Sequence, residues 1–254
     1  MTQDVFTETE NGILTITINR PQARNAVTGA VSHAVAAALD RLDEEDGLRV
    51  GILTGAGGNF CAGMDLKAFL AGENVRVEGR GLLGLVYAQP RKPLIAAVEG
   101  YALAGGFEAM LACDLAVASR EARFGLPEAK RGLAAGAGGL IRLPRLIPPR
   151  IAMELAMTGA MVGADRLFEL GLINRLVDCG DALAVARELA REIAANAPLS
   201  VEAAKRVITE QVDWPLDRMF EIQAAITEPV IASGDAREGA AAFAEKRTPQ
   251  WRGK

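Results

Sequence analysis

Residues 92–139 read KPLIAAVEGYALAGGFEAMLACDLAVASREARFGLPEAKRGLAAGAGG. The order is an apolar strand, a glycine elbow at Ala104-Gly105-Gly106, Glu108, a second apolar strand and a turn at Pro127-Glu128. Short apolar strands broken by glycine elbows and helical turns define an α/β chain. A carboxylate at the end of each of two neighbouring strands would converge on one reacting centre. Paired carboxylates divide acid and base work when their environments push their pKa values apart.

Outward from this stretch the pattern continues. Residues 12–19 alternate apolar and β-branched side chains as a strand, 28–42 carry helical spacing, and 49–54 form a buried strand closed by Gly55-Ala56-Gly57-Gly58. A helix starts within 64–70, and 72–91 is irregular and rich in glycine and charge, the place where selectivity is expected to reside. Strands are predicted at 94–99 and 114–119 with a helical turn at 107–112 between them. Helices follow at 137–145, 150–158, 163–170, 181–196, 199–211, 215–231 and 235–245. The division expected is a core over 1–195 and a helical C-terminal region over 196–254.

Composition removes several classes of function. A chain of 254 residues with half its residues apolar supports one core and a short appendage. A net charge of −4 without a basic run argues against nucleic acid as the main partner. Cys61, Cys113 and Cys179 form no CxxC pair, so no zinc site or disulfide framework is signalled, and small buried thiols in a reducing compartment are expected. The polar, acidic start MTQDVFTETENG predicts no secretory signal, and no apolar run reaches the ~20 residues of a membrane span. A cytoplasmic protein follows as the expectation. His33 is the only histidine; it lies in a helical pattern, and no GxSxG accompanies it, which disfavours a histidine-based hydrolase or metal site.

The glycine turn after 49–54 fails as a dinucleotide loop, because Phe60 stands where G-x-G-x-x-G needs its third glycine. What remains at 59–66, NFCAGMDL, is a tight turn running into a helix. Free N–H groups at such a turn donate to anionic oxygen. The elbow at 104–108 offers the same geometry, and one N–H from each would form an oxyanion hole. Glycines at such turns otherwise serve only backbone conformation or close packing.

With these motifs in place, the sequence resembles the crotonase (enoyl-CoA hydratase/isomerase) family. The resemblance rests on RPQARNA at 20–26, FCAGMDL at 60–66, KPLIAAVEGYALAGGFE at 92–108, ARFGLPEAKRGL at 122–133 and AFAEKRTPQW at 242–251. These motifs fall in the family's order and spacing along nearly the whole chain. The segments GGFEAM, FGLPEAKRGL and GDAREGAAAFAEKRTPQWRGK are especially similar to carnitinyl-CoA dehydratase-like members.

The resemblance implies a spiral of ββα turns with a helical C-terminal region that drives trimerisation, and homotrimers or dimers of trimers. It places the oxyanion hole at the backbone N–H groups of Met64 and Gly105, and the acid/base pair at Glu108 and Glu128. The coenzyme A surface maps to Arg24, Ala26, Ala62, Asp65, Leu66 and Lys67, with Phe243 and Lys246 near the nucleotide end, often across a subunit boundary. The implied reaction adds water to, or removes it from, the C2=C3 bond of an acyl-CoA thioester, with a carnitinyl-CoA dehydratase, an enoyl-CoA isomerase and a non-catalytic acyl-CoA-binding subunit as the alternatives. No metal or redox cofactor is implied, since coenzyme A arrives with the substrate. The chain departs from the family at Met64, where a small residue is common, at Ala104, a frequent glycine, and at Ala135, often a proline. The last of these bears on Gly136, which matches a glycine that helps seat the water. An aromatic cage for a trimethylammonium group would have to come from Tyr87, Tyr101, Trp214 and Trp251.

Overall fold

The computed structural model describes residues 3–254. Among the described residues eleven strands and ten α-helices follow one another. The first half contains β1 (Val5–Glu10), β2 (Ile13–Ile18), α1 (Gly29–Glu44), β3 (Val50–Gly55), α2 (Leu66–Leu70), β4 (Arg76–Val77), β5 (Gly81–Leu82), β6 (Leu94–Val98), β7 (Tyr101–Leu103) and α3 (Gly105–Ala112). It continues with β8 (Leu115–Ser119), β9 (Arg123–Gly125), α4 (Gly139–Leu146), α5 (Pro149–Thr158), β10 (Val162–Gly163), α6 (Ala164–Glu169), β11 (Arg175–Val177) and α7 (Ala182–Ala194). The C-terminal region holds α8 (Pro198–Glu210), α9 (Met219–Ile231) and α10 (Gly234–Glu245).

A six-stranded sheet runs β1-β2-β3-β6-β8-β11, antiparallel only at its β1 edge. Its central strands are buried on both faces, as parallel strands must be, which explains the near-continuous apolar runs. Leu14, Ile16, Leu53 and Ala96 point into the main core with Val35, Leu39 and Leu42 of α1. Their neighbours Ile13, Ile52, Ile95 and Val117 pack on the other face against Ala186 and Ala190 of α7, small side chains that let the helix sit close. A second sheet runs β10-β9-β7, with β7 and β9 parallel. The chain passes from β6 to β7 and from β8 to β9, stepping each time from the large sheet to the small one. That alternation winds the core into a spiral.

The helical region is fastened to the core by polar contacts. Lys205 on α8 pairs with Asp114 at 2.7 Å and donates to the Lys92 carbonyl at 2.9 Å. Buried Asp235 accepts from the Arg252 and Gly253 N–H groups at 2.8 Å each, folding the tail back onto α10.

The structure extends the sequence reading and corrects it at segment 72–91 and at the thiols. The acidic start pairs with β2 as β1, although its outward residues Thr7, Glu8 and Thr9 hide the pattern. The segment 72–91 is not wholly irregular, because β4 and β5 form a small antiparallel hairpin. The strands β7, β9, β10 and β11 are two or three residues long, too short to show a period. Of the thiols, Cys61 is buried but Cys179 is exposed. His33 lies on α1, its Nδ1 against the Gly29 carbonyl at 2.8 Å, a local helix contact.

Candidate active site

Parallel pairing brings the two elbows side by side. Cys61 bridges Ala102 of β7: its N–H donates to the Tyr101 carbonyl at 2.9 Å, and Leu103 N–H returns to the Cys61 carbonyl at 3.0 Å. Three residues beyond that bridge on each strand stand Met64 and Gly105. A Cβ built on Gly63 would lie 3.0 Å from the Gly105 nitrogen, and one built on Gly105 would lie 3.8 Å from the Met64 nitrogen. Among the described residues neither N–H has an acceptor in the fold. Gly105 opens α3, where N–H groups lack helical partners. Met64 is bracketed by the Val27 pairing, which uses the Gly63 carbonyl and the Asp65 N–H on either side of it. The two amides expected to bind an oxyanion are therefore adjacent and unused.

Ala104 makes the second elbow at a cost. It caps α3 with φ 50° and ψ −129°, a conformation that a side chain disfavours. Ala104→Gly is expected to raise unfolding stability by about 1 kcal/mol, since relieved strain of ~1–3 kcal/mol exceeds the added chain entropy of ~0.4–1 kcal/mol. Urea denaturation measures it, and an unchanged or lower midpoint at equal slope would contradict it.

The two glutamates sit in contrasting surroundings. Glu108 lies in the first turn of α3 and is 3% exposed. Its Oε1 accepts from the Ala137 and Gly139 N–H groups at 2.8 Å each. Burial raises its pKa, while those two amides and the Arg142 charge act against the rise. Glu128 sits in a short 3-10 turn, Pro127–Arg131, directly after β9. It is buried, and its Oε2 has no hydrogen-bond partner. Burial raises its pKa, and the neighbouring Glu108 charge raises it further. The carboxylates thus share one site, but they follow β7 and β9 of the small sheet; the apolar strands β6 and β8 that announced them lie one step back along the spiral.

The other expected residues divide into groups. Arg24 is exposed with its guanidinium 5.3 Å above the Tyr101 ring, and Ala62 N–H donates to the Arg24 carbonyl at 3.0 Å, so both border the first elbow. Ala26 lies on the same rim, its carbonyl accepting from Arg20. The Asp65 carboxylate is already engaged, pairing with Arg20 at 3.1 Å and capping α2 through the Lys67 N–H at 3.0 Å. Leu66 and Lys67 project outward from α2. Gly136 offers its carbonyl to the Tyr87 hydroxyl at 2.9 Å. Phe243 on α10 and Lys246, the residue that caps its C-terminus, are exposed, and among the described residues no hydrogen bond or ion pair ties them to the elbows. The groups that sequence reading missed are Ala137 and Gly139, which anchor Glu108. Their role is carried by backbone, so only the glycine run at 136–139 hinted at it. A separate cleft of about 500 Å³ between residues 89–91, α8 and α9 contains none of the expected site residues.

A spiral α/β fold with adjacent unused amides beside two buried carboxyl groups is the arrangement of an enzyme acting on an activated carbonyl. The family model described as enoyl-CoA hydratase/isomerase matches residues 8–254, and the chain belongs to that family. The chain is 39% identical to a carnitinyl-CoA dehydratase of Proteus mirabilis, with 100% of both chains covered. It is 42% identical to enoyl-CoA hydratase EchA19 of Mycobacterium tuberculosis, covering 98% of this chain and 96% of that one. Among solved structures, enoyl-CoA hydratase EchA1 of Mycobacterium marinum superposes with a TM-score of 0.98 at 60% identity over the whole of both chains.

Proposed function

We infer that this chain is an acyl-CoA hydro-lyase, adding water to or removing it from the C2=C3 bond of a 2-enoyl-CoA thioester. The observation that carries the assignment of roles is the unequal treatment of the two carboxyl groups. Glu108 keeps two amide donors that favour its charged form, and it takes the proton from the attacking water. Glu128 is buried with an unpartnered oxygen beside that charge, which favours its neutral form, and it delivers a proton to C2. The Met64 and Gly105 N–H groups receive the charge that develops on the thioester oxygen, where one donor contributes about 2.7–4 kcal/mol. Every proton transfer and the developing charge then has a protein group assigned, so the proposed reaction draws on no cofactor beyond the coenzyme A of its substrate.

Coenzyme A is proposed to lie along Arg24, Ala26, Ala62 and Asp65 to Lys67, with Phe243 and Lys246 near its nucleotide end in a neighbouring subunit's site. The exposed apolar side chains Leu216, Phe220, Ile231 and Phe243 of the helical region support a homotrimer or dimer of trimers assembled through residues 196–254. No helix among the described residues is long and apolar enough to cross a membrane; a cytoplasmic location remains part of the proposal. Carnitinyl substrates are the secondary reading. Three candidate cage aromatics are already committed: Tyr101 lies beneath Arg24, Tyr87 bonds Gly136 and Trp251 bonds the Ala195 carbonyl at 2.7 Å.

Mixing the protein with crotonyl-CoA and following the loss of enoyl absorbance tests the reaction. Unchanged absorbance with short, long and branched enoyl-CoAs would overturn it. The pH profile tests the acid/base roles. Both carboxyl pKa values lie above the ordinary glutamate value of 4.5, so the acidic limb of kcat/KM is expected at higher pH than a free glutamate would give. An acidic limb at or below the ordinary value would contradict the assignment.

A further inference from the structure

Segment 72–91 carries three cations, and two of them are satisfied: Arg80 pairs with Asp40, and Arg91 with Glu202. Arg76 is exposed, and among the described residues its side chain makes no hydrogen bond or ion pair, with Glu78 of the same hairpin or with any other acid. Its placement follows from register. Arg76 stands directly opposite Leu82 in the antiparallel β4–β5 pair, so the two side chains emerge on the same face. Leu82 is buried, and its Cδ2 fills the space beside Gly105 that a Cβ there would need. The hairpin face bearing Arg76 is therefore the one turned toward the second elbow. A second cation flanks the same site: Arg142 on α4 donates from Nη2 to the Val86 carbonyl at 2.7 Å, next to the turn that presents Gly139 N–H to Glu108.

We propose that Arg76 is a specificity-determining residue that selects thioesters whose acyl chain ends in a carboxylate and rejects those ending in a quaternary ammonium. This rests on the acyl-CoA reading above and deepens it at the acyl end. The electrostatic influence of Arg76 and Arg142 on Glu108 agrees with a positive potential there. A guanidinium without a protein partner is suited to a bidentate carboxylate contact. The same charge opposes a trimethylammonium group, which needs an aromatic or acidic surround.

The test measures binding, so that it stands apart from turnover. Calorimetry with butyryl-CoA, glutaryl-CoA and 4-trimethylammoniobutyryl-CoA, none of which has a double bond to hydrate, is performed on wild type, Arg76→Met and Arg76→Glu. Wild type is expected to prefer the glutaryl over the trimethylammonio thioester, with the ratio of the trimethylammonio Kd to the glutaryl Kd falling about tenfold from wild type to Arg76→Glu and Arg76→Met between them. Equal weakening of all three thioesters and of free coenzyme A in both variants would overturn the proposal and place the cation at the nucleotide. An unchanged ratio, or no binding of any thioester by wild type, would overturn it as well. Failure of crotonyl-CoA turnover with the charge ratio intact would count against the hydration reading alone.

Discussion

Glu128→Gln is expected to lower kcat by about 10²–10⁴-fold while leaving the Kd for a saturated acyl-CoA within a few-fold. The amide keeps the shape of the side chain but cannot deliver a proton to C2. Glu108→Gln is expected to fall by a similar factor through loss of the base, and it also places an amide where two N–H donors now meet an oxygen. Stability gives a second readout for Glu128. A carboxyl group whose folded pKa is raised above 4.5 stabilises the fold below its unfolded pKa, and that contribution is lost as pH rises through the folded value. The neutral amide does not incur the loss, so Glu128→Gln is expected to melt higher than wild type at pH 7–8 and to lose the advantage near pH 4. Loss of activity with a gain in Tm would mark the group as held for chemistry against the interest of the fold. Wild-type turnover by Glu128→Gln would remove it from the reaction.

Gly139→Ala is the second large effect expected, about 10²-fold in kcat, the loss that follows a misplacement of about 1 Å at a reacting group. A Cβ at this position would stand 2.9 Å from Glu108 Cγ, 3.0 Å from its Oε1 and 3.2 Å from Leu126 Cδ1. Leu126 lies against the turn that carries Glu128, so one methyl group presses on the supports of both carboxyl groups. Gly47→Ala is the control, because a Cβ there meets nothing within 4 Å and the position lies outside the site. Single-turnover kinetics with crotonyl-CoA, alongside circular dichroism to check folding, reads the difference. Equal activities for the two variants would show that Glu108 is not held where the structure places it.

Gly106 shows why part of this site escaped a reading of residues alone. A side chain there would run into the Cys61 backbone, so the helix bearing Glu108 approaches the first elbow only because this position is bare. The sequence displays the glycine but not the backbone it faces. The same holds for β9, whose three residues carry no periodicity and acquire strand geometry only from pairing with β7. The long helices are the opposite case. α1 has Thr28 as N-cap, with its side chain accepting from Val31 N–H, and buried positions at Val31, Val35, Leu39 and Leu42, so its identity is written in local pattern.

From residue order alone came the α/β class, the two glutamates, the two glycine elbows and the family resemblance, because each depends on side-chain type, local spacing or near neighbours along the chain. Tertiary structure alone decided that Met64 and Gly105 lie adjacent, that Ala137 and Gly139 clasp Glu108, that Asp65 is occupied by Arg20, and that Arg76 shares a face with Leu82. Those contacts join backbone groups or residues far apart in sequence, and a backbone amide is chemically the same at every position until the fold gives it a partner or leaves it without one.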